Sequence, residues 1–382
     1  MKSLSVVKPK SDLDLAISMI RAIDPSIILA FVAPALACDD DVKAKLHAAF
    51  PAVPFLGCST SGEIVGDGVH DEAVVFVGMR FDQTRVRTAH VKIERPEDAE
   101  KIGEMIAAQL QAPDLKSVFI LSPGHQMNGS ALVRGLYNAV SPDVVVTGGL
   151  AGDGLQFGTT YTLYQGTFAS DQVVAFGLYG EAIEVSTGCE GGWRPFGPAR
   201  VVTRAEGNVL YDLDNRPALA LYDEYLGTLD RNNPASRLSY PFAVLREDRS
   251  SAGLIRSALG VDIAKNALVL AGEVKEGCYV CLMHADTDGL IQGAAQAAAE
   301  AIRMHKTRHA LGVALIVSCV GRRLVMNIDT DEEIEAVRDS FDEGMTIAGF
   351  YSYGEIAPFA KGKRPELHNQ TMTVTYISEK NL

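Results

Sequence analysis

Gly349-Phe350-Tyr351-Ser352-Tyr353-Gly354-Glu355-Ile356 closes on the same Gly-Glu-Ile as Gly57-Cys58-Ser59-Thr60-Ser61-Gly62-Glu63-Ile64, far earlier in the chain. A third bend, Gly148-Gly149-Leu150-Ala151-Gly152-Asp153-Gly154, stands between them in the same setting. Each bend ends a short apolar run, at 53–56, 144–147 and 346–348, and each of those follows an earlier apolar run and a helical pattern. The earlier runs are 27–32, 118–121 and 314–317. The helical patterns lie at 39–50, along Leu132, Val133, Leu136 and Val140, and at 332–341. Twenty-six residues separate Phe31 from Gly57, 27 separate Leu121 from Gly148 and 32 separate Val317 from Gly349. One strand-helix-strand unit is therefore read three times.

Alternating strands and helices predict an α/β fold, and apolar runs without polar interruption predict strands covered on both faces. The expectation is α/β, with pseudo-repeated strand-helix-strand units forming two mixed-sheet subdomains. A turn-rich stretch, Gly191-Gly192-Trp193-Arg194-Pro195-Phe196-Gly197-Pro198, followed by Asn215-Arg216-Pro217, places the change of domain, giving residues 1–215 and 216–382. Beyond it, a helical run at 218–226 stops at Gly227, as a glycine cap would stop it. A further strand and helix are expected at 278–283 and 288–304, the helix presenting Ala294, Ala295, Ala298 and Ile302. Thr330 and Glu333 have capping-box spacing, ahead of a stripe of Ile334, Val337 and Phe341.

The chain has 382 residues, 47% hydrophobic and 22% charged, which provides for a large core and excludes disorder. Thirty-five basic and 48 acidic residues leave a net charge of −13, which repels phosphate backbones and anionic lipid heads. Nucleic acid and membrane insertion are not expected, and no run reaches the roughly 18 apolar residues of a membrane span. The first twelve residues lack the apolar middle of a secretory signal, so a cytoplasmic protein is expected. Six dispersed cysteines read as small core residues in a reducing compartment.

Enzyme signatures fail in informative ways. Gly57-Cys58-Ser59-Thr60-Ser61 begins like a nucleophile elbow, with Ser61 where the second glycine belongs. A hydrolase or transferase using Cys58 or Ser59 is the enzymatic alternative. Gly152-Asp153-Gly154 starts a dinucleotide fingerprint, but Phe157 occupies the place of its third glycine. Cys278 and Cys281, three apart on an expected strand, point to opposite faces and read as core. His305 and His309, four apart at a helix end, read as dipole partners rather than metal ligands. His125 follows a buried strand at a sheet edge, where α/β proteins bind ligands. Tyr351, Tyr353 and Glu355 alternate, which places two rings and a carboxylate on one face of an extended segment, suited to a small ligand or to a domain interface. Trp193 and Arg194 offer stacking and bidentate hydrogen bonding to a ligand, or an interface. His368 and Asn369 stand where the chain returns over the last bend.

Several separated motifs, in order and over nearly the full length, resemble the FIST domain proteins of bacterial signal transduction. In the first part these are Gly148-Gly149-Leu150-Ala151-Gly152-Asp153, Gly192-Trp193-Arg194-Pro195 and Val209-Leu210-Tyr211-Asp212-Leu213. In the second they are Ser318-Cys319-Val320-Gly321-Arg322-Arg323, Glu332-Glu333-Ile334, the bend at 349–358 and Leu367-His368-Asn369-Gln370-Thr371. The resemblance implies a sensory module without enzymatic turnover, binding a small ligand such as an amino acid. With the sequence ending just past the signature, it implies output in trans to a histidine kinase or a cyclic-di-nucleotide enzyme. Some similar stand-alone members are haem proteins that sense nitric oxide, so the resemblance also allows haem. Gly124-His125, standing where relatives often have Asp-Gly, makes His125 the candidate iron ligand. The expected ligand-binding set is His125, Gly148, Gly149, Asp153, Trp193, Arg194, Tyr351, Tyr353, Glu355, His368 and Asn369.

Overall fold

Three chain segments follow one order: outer strand, helix, strand, helix, strand, hairpin, strand. The computed structural model describes residues 1–227, 237–307, 311–359 and 364–380. The first segment runs through β1 (Lys2–Pro9), α1 (Leu13–Ala22), β2 (Ile27–Val32), α2 (Pro34–Cys38), α3 (Asp40–Ala49), β3 (Phe55–Ser59), the hairpin β4 (Glu63–Val65) and β5 (Gly68–His70), and β6 (Ala73–Arg80). The second has β7 (Arg85–Lys92), α4 (Ala99–Leu110), β8 (Leu115–Ser122), α5 (Gly129–Asn138), β9 (Val145–Leu150), the hairpin β10 (Thr162–Tyr164) and β11 (Thr167–Ala169), and β12 (Gln172–Tyr179). The third opens with β13 (Ile183–Glu190) and is then interrupted. The interruption carries nine strands from β14 (Arg194–Pro195) to β22 (Tyr279–His284), with α6 (Ala218–Leu226) among them. The segment resumes with α7 (Thr287–Met304), β23 (Gly312–Cys319), α8 (Val320–Met326), α9 (Thr330–Asp339), β24 (Thr346–Ser352), the hairpin β25 (Gly354–Pro358) and β26 (Pro365–His368), and β27 (Met372–Glu379).

Each segment builds a sheet on a parallel pair, β2 with β3, β8 with β9 and β23 with β24. The hairpin that follows each pair leaves for another sheet. Strand β4 pairs with β24, β25 with β9 and β10 with β3, so the three six-stranded sheets exchange hairpins cyclically. The repeated glycine explains itself in this geometry. A Cβ at Gly57, Gly148 or Gly349 would lie 1.9, 1.9 or 1.8 Å from the carbonyl oxygen of Ala30, Ile120 or Ile316, its partner across the parallel pair in each case. No side chain fits, so the three positions are fixed as glycine by the same contact.

The inner faces of the sheets share one apolar core, where Phe31 stacks on Phe350 at 4.8 Å and Phe119 on Phe176 at 5.5 Å. Outer faces are covered by helices, α1 and α3 on the first sheet, α4 and α5 on the second, α7 and α9 on the third. Strands β2 and β23 are buried along their whole length, as two-sided coverage requires. The expected α/β class of repeated strand-helix-strand units is borne out, in four sheets among the described residues. The position 215/216 falls in the turn between two short paired strands, Leu213 facing Arg216.

Local expectations fare unevenly. Gly227 ends α6 with φ 72°, as expected of a glycine cap. The capping box does not form: Thr330 donates to the Asn327 carbonyl, and Glu333 turns into the core. Cys38 is exposed and Cys278 half-buried, so only four of the six cysteines are core residues. His305 is buried, with Nδ1 2.8 Å from Ser186 Oγ, Nε2 2.6 Å from Ser378 Oγ and its ring on Tyr376 at 3.8 Å. It is a core histidine, while His309 lies outside the described residues.

Candidate functional site

The three bends meet and hydrogen-bond to one another. Ser61 N donates to Tyr351 O at 2.8 Å and Tyr351 N to Gly62 O at 2.8 Å, joining the first bend to the third. Gly152 N donates to Ser59 O at 3.0 Å and Gly154 N to Thr60 O at 3.1 Å, joining the second to the first. Tyr353 N reaches Leu150 O at 3.3 Å, and the Tyr353 hydroxyl donates to Asp153, joining the third to the second. Such a junction satisfies backbone groups that would otherwise be buried unpaired. It is too closely packed to hold a ligand at its centre, and the open space lies beside it.

That space is a cleft of about 500 Å³ that narrows to a chamber of about 30 Å³, the two sharing Gly124, His125, Leu150, Leu259 and Ala271 as wall. His125 stands at the mouth, in the loop leaving β8, next to the N-terminus of α5, where Asn128 caps Ala131 N at 3.0 Å. Its ring lies 4.5 Å from that of Tyr353, and Phe157 stacks on Tyr353 at 5.0 Å and 6°. Asp153 holds this arrangement, accepting from Phe157 N at 3.0 Å and Gly158 N at 2.7 Å besides the tyrosine. Packing pushes the His125 imidazole below its ordinary value, with the Asp153 carboxylate opposing, so the ring is neutral near pH 7. Burial and the Asp153 hydrogen bond push the Tyr353 phenol up, so it acts as a hydrogen-bond donor.

Asn369 also lines the chamber. Its residue is 1% exposed, and its Oδ1 has no hydrogen-bond partner among the described residues. An amide buried in this way costs about 1–3 kcal/mol unless something completes it. Cys319 also lines the chamber, with its thiol pushed up by burial.

The remaining expected residues are elsewhere. Tyr351, Tyr353 and Glu355 do not share a face, because the chain passes from one sheet to another between β24 and β25. Tyr351 donates to Glu333 Oε1 at 2.6 Å in the core of the third sheet. Glu355 is fully buried, accepting from Ser352 Oγ at 2.7 Å and from Thr371 N and Oγ1 at 3.1 and 2.9 Å. Trp193 is buried in a separate cluster with Met283, Leu290 and Met326, and its Nε1 donates to Gln370 O at 2.7 Å. Arg194 is exposed on the short strand β14. His368 is fully buried and donates from Nε2 to Ala357 O at 2.9 Å. Gly148 and Gly149 abut Ile120 O and the Val317 side chain. His125, Tyr353 and Asn369 are thus brought together, with Asp153 behind them. Phe157, Ser257 and Leu259 complete the chamber unannounced by any motif. Phe157 is held at φ 50°, an uncommon conformation for a bulky residue.

Among the described residues no histidine is hydrogen-bonded to Cys58 or Ser59. Cys58 is fully buried, with its thiol raised by burial, and Ser59 Oγ is engaged, donating to Gly152 O at 2.7 Å and accepting from Tyr161 N at 2.9 Å. Haem brings an apolar macrocycle and two carboxylates. Beside Glu97, Gln126, Asn128, Asn208 and Glu273 the cleft wall carries Met127, Leu150, Leu259, Leu270 and Leu367, which suit the macrocycle, but no lysine or arginine among the described residues to pair with the carboxylates, and the imidazole of His125 leans on Tyr353.

Comparison with known proteins gives relatives that match the chain to different extents. An uncharacterised protein of Mycobacterium tuberculosis is 27% identical over 340 residues, which is 84% of this chain and 83% of that protein. An uncharacterised protein of Methanocaldococcus jannaschii is 25% identical over 263 residues, 62% of this chain and 50% of that one. Among solved structures, a cyanuric acid hydrolase from A. caulinodans is similar with a TM-score of 0.33 at 9% identity over 100% of both chains. No helix of the described residues is long and apolar enough to cross a membrane. The FIST N domain matches residues 26–216 and the FIST C domain residues 218–358, so the chain belongs to the FIST family of small-ligand sensory domains in signalling.

Proposed function

We propose that the protein is a sensor whose ligand, an amino acid or a polar metabolite of similar size, sits in the cleft with one end in the chamber. The observation that carries this reading is the Asn369 amide, buried beside the His125, Phe157 and Tyr353 rings with its oxygen unpaired. A planar or apolar part of the ligand would stack on the rings, and a donor on it would complete the amide. Glu97 suits an ammonium group, and the first turn of α5 suits a carboxylate. The family's signalling role favours output through a separate histidine kinase or cyclic-di-nucleotide enzyme. Binding at a wall that both halves of the family match supply would then be read by that partner.

Thermal shift of the full chain against the amino acids and small polar metabolites tests this. At least one compound should raise the melting temperature, and Asn369→Leu should weaken its binding by about tenfold or more while the ligand-free protein melts as before. A hit that binds Asn369→Leu and Tyr353→Leu as tightly as the parent would refute the assignment. Haem added to the apoprotein is expected to give no Soret band that depends on His125. A band that Asn or Ala at this position abolishes would restore the gas-sensing reading.

A further inference from the structure

A second cavity, of about 350 Å³, lies between α5 and the interrupting strands, separated from the cleft by Glu273, which lines both. We propose that it is a binding site for a small phosphate-bearing molecule with a planar group, of the nucleotide class. Its volume falls within the roughly 300–1,000 Å³ of ligand pockets. Arg256 lines the cavity at 2% exposure. Its Nε donates to Glu273 O at 3.1 Å, and its Nη1 donates to Ile255 O at 3.2 Å and Leu367 O at 2.8 Å. All three acceptors are neutral carbonyls, and none of these bonds uses Nη2.

No carboxylate stands within ion-pair distance of Arg256 among the described residues; burial lowers its guanidinium to about 10, with Glu366 and Glu273 opposing from farther off. A buried cation bonded only to neutral carbonyls is costly, and an anion entering beside it reduces that cost. Two more cations stand at the rim. Lys275 and Arg364 are exposed, line the cavity and form no ion pair among the described residues. Ser130 Oγ, on the same wall, is buried without a partner.

The acidic residues present do not cancel these charges. Glu273 is engaged by Asn128 Nδ2 at 2.6 Å and lies 3.7 Å from Arg134, and Glu366 is exposed at the rim. In a chain of net charge −13, this wall presents cations from α5, from the interrupting segment and from Arg364, the residue before β26. Guanidinium, ammonium and hydroxyl donors from separate elements suit the several oxygens of a phosphate. The Arg364 guanidinium lies 5.5 Å over the Tyr137 ring, and the two form a flat surface for a base.

Calorimetry on the full chain with adenosine monophosphate, inorganic phosphate and adenosine as probes tests the assignment. The nucleotide should bind saturably, and adenosine at least tenfold more weakly. Lys275→Met and Arg364→Ala, exposed changes that keep the fold, should each weaken the nucleotide by about tenfold, whereas Asn369→Leu should not alter it. No saturable heat from the nucleotide at millimolar concentration, or equal affinity for parent and both rim variants, would overturn the site. Equal affinity for inorganic phosphate and the nucleotide would overturn the planar half of the proposal. Arg256→Met is left out of the decisive set because its loss also frees three carbonyls.

Discussion

Arg322→Ala is expected to cost about 3–5 kcal/mol of unfolding free energy. Arg322 and Glu333 are both fully buried, and the guanidinium meets Glu333 Oε2 from Nε at 3.0 Å and from Nη2 at 2.7 Å. The same side chain donates to Gly191 O at 2.5 Å and to Leu290 O at 2.8 Å. Those two carbonyls stand where the interrupting strands leave the third repeat and where the chain returns to it, so one arginine closes the gap. Glu333 Oε1 meanwhile accepts from Ser318 Oγ at 3.0 Å and Tyr351 Oη at 2.6 Å. Removing the cation strands a carboxylate and two carbonyls in the core. Arg322→Lys is expected to fail nearly as badly, since an ammonium cannot span the fork geometry. Urea denaturation measures the loss, and a change below about 1 kcal/mol would contradict this account of the family signature.

Stability is expected to fall as pH rises from 6.5 towards 9, by about 2 kcal/mol for each of two glutamates, at 1.36 kcal/mol per pH unit below their folded values. Burial raises Glu63 and Glu355 to about 8. The folded state holds a proton there that the unfolded chain, with an ordinary glutamate, has released. The stabilisation is therefore complete below the unfolded value of 4.5 and is lost as pH rises through 8. Below pH 6.5 the trend is opposed by His305 and His368, which burial lowers to about 4 and which lose stability as acid protonates them. Glu355→Gln and Glu63→Gln should each flatten the alkaline slope. The amide imitates the protonated acid, donating to Ser352 or Thr60 while its oxygen accepts from the backbone at Thr371 or Ala73. Denaturant midpoints at pH 6.5 and 8.5 provide the measurement, and an unchanged slope in the double variant would sink the explanation.

The two glutamates show what the sequence could disclose. Their Gly-Glu-Ile echo marked equivalent positions, and the equivalence is physical: Glu63 accepts from the first residue of β6, Ala73, and Glu355 from Thr371, the residue before β27. The glycines were legible for the same reason, since a strand carbonyl forbids any side chain there. The cyclic exchange of hairpins was not legible, because β4 pairs with β24 across most of the chain and local periodicity carries no trace of so distant a partner. Tyr351 and Tyr353 misled by parity: alternation holds along one strand, and here the chain changes sheet between them.

The candidate site was half visible. His125 announced itself at a strand end, and Tyr353 and Asn369 lay in two motifs that turned out to be mostly scaffolding. In the second of them His368, Gln370 and Thr371 are engaged with Ala357, Leu238 and Glu355, Leu367 lines the cleft, and Asn369 lines the chamber. Trp193 and Arg194 looked like ligand residues because stacking and fork-shaped donors serve ligands and interfaces alike. Phe157 and the residues of the interrupting strands were invisible because they enter the site singly, without spacing or repetition.

Co-crystallisation with the compound that most stabilises the protein is the most direct test of the sensory cleft. Electron density is expected between the Phe157 and Tyr353 rings and the Asn369 amide, with a polar atom of the ligand within hydrogen-bond distance of Asn369 Oδ1. Density at another place on the surface, with the chamber unchanged and the amide still unpaired, would contradict it.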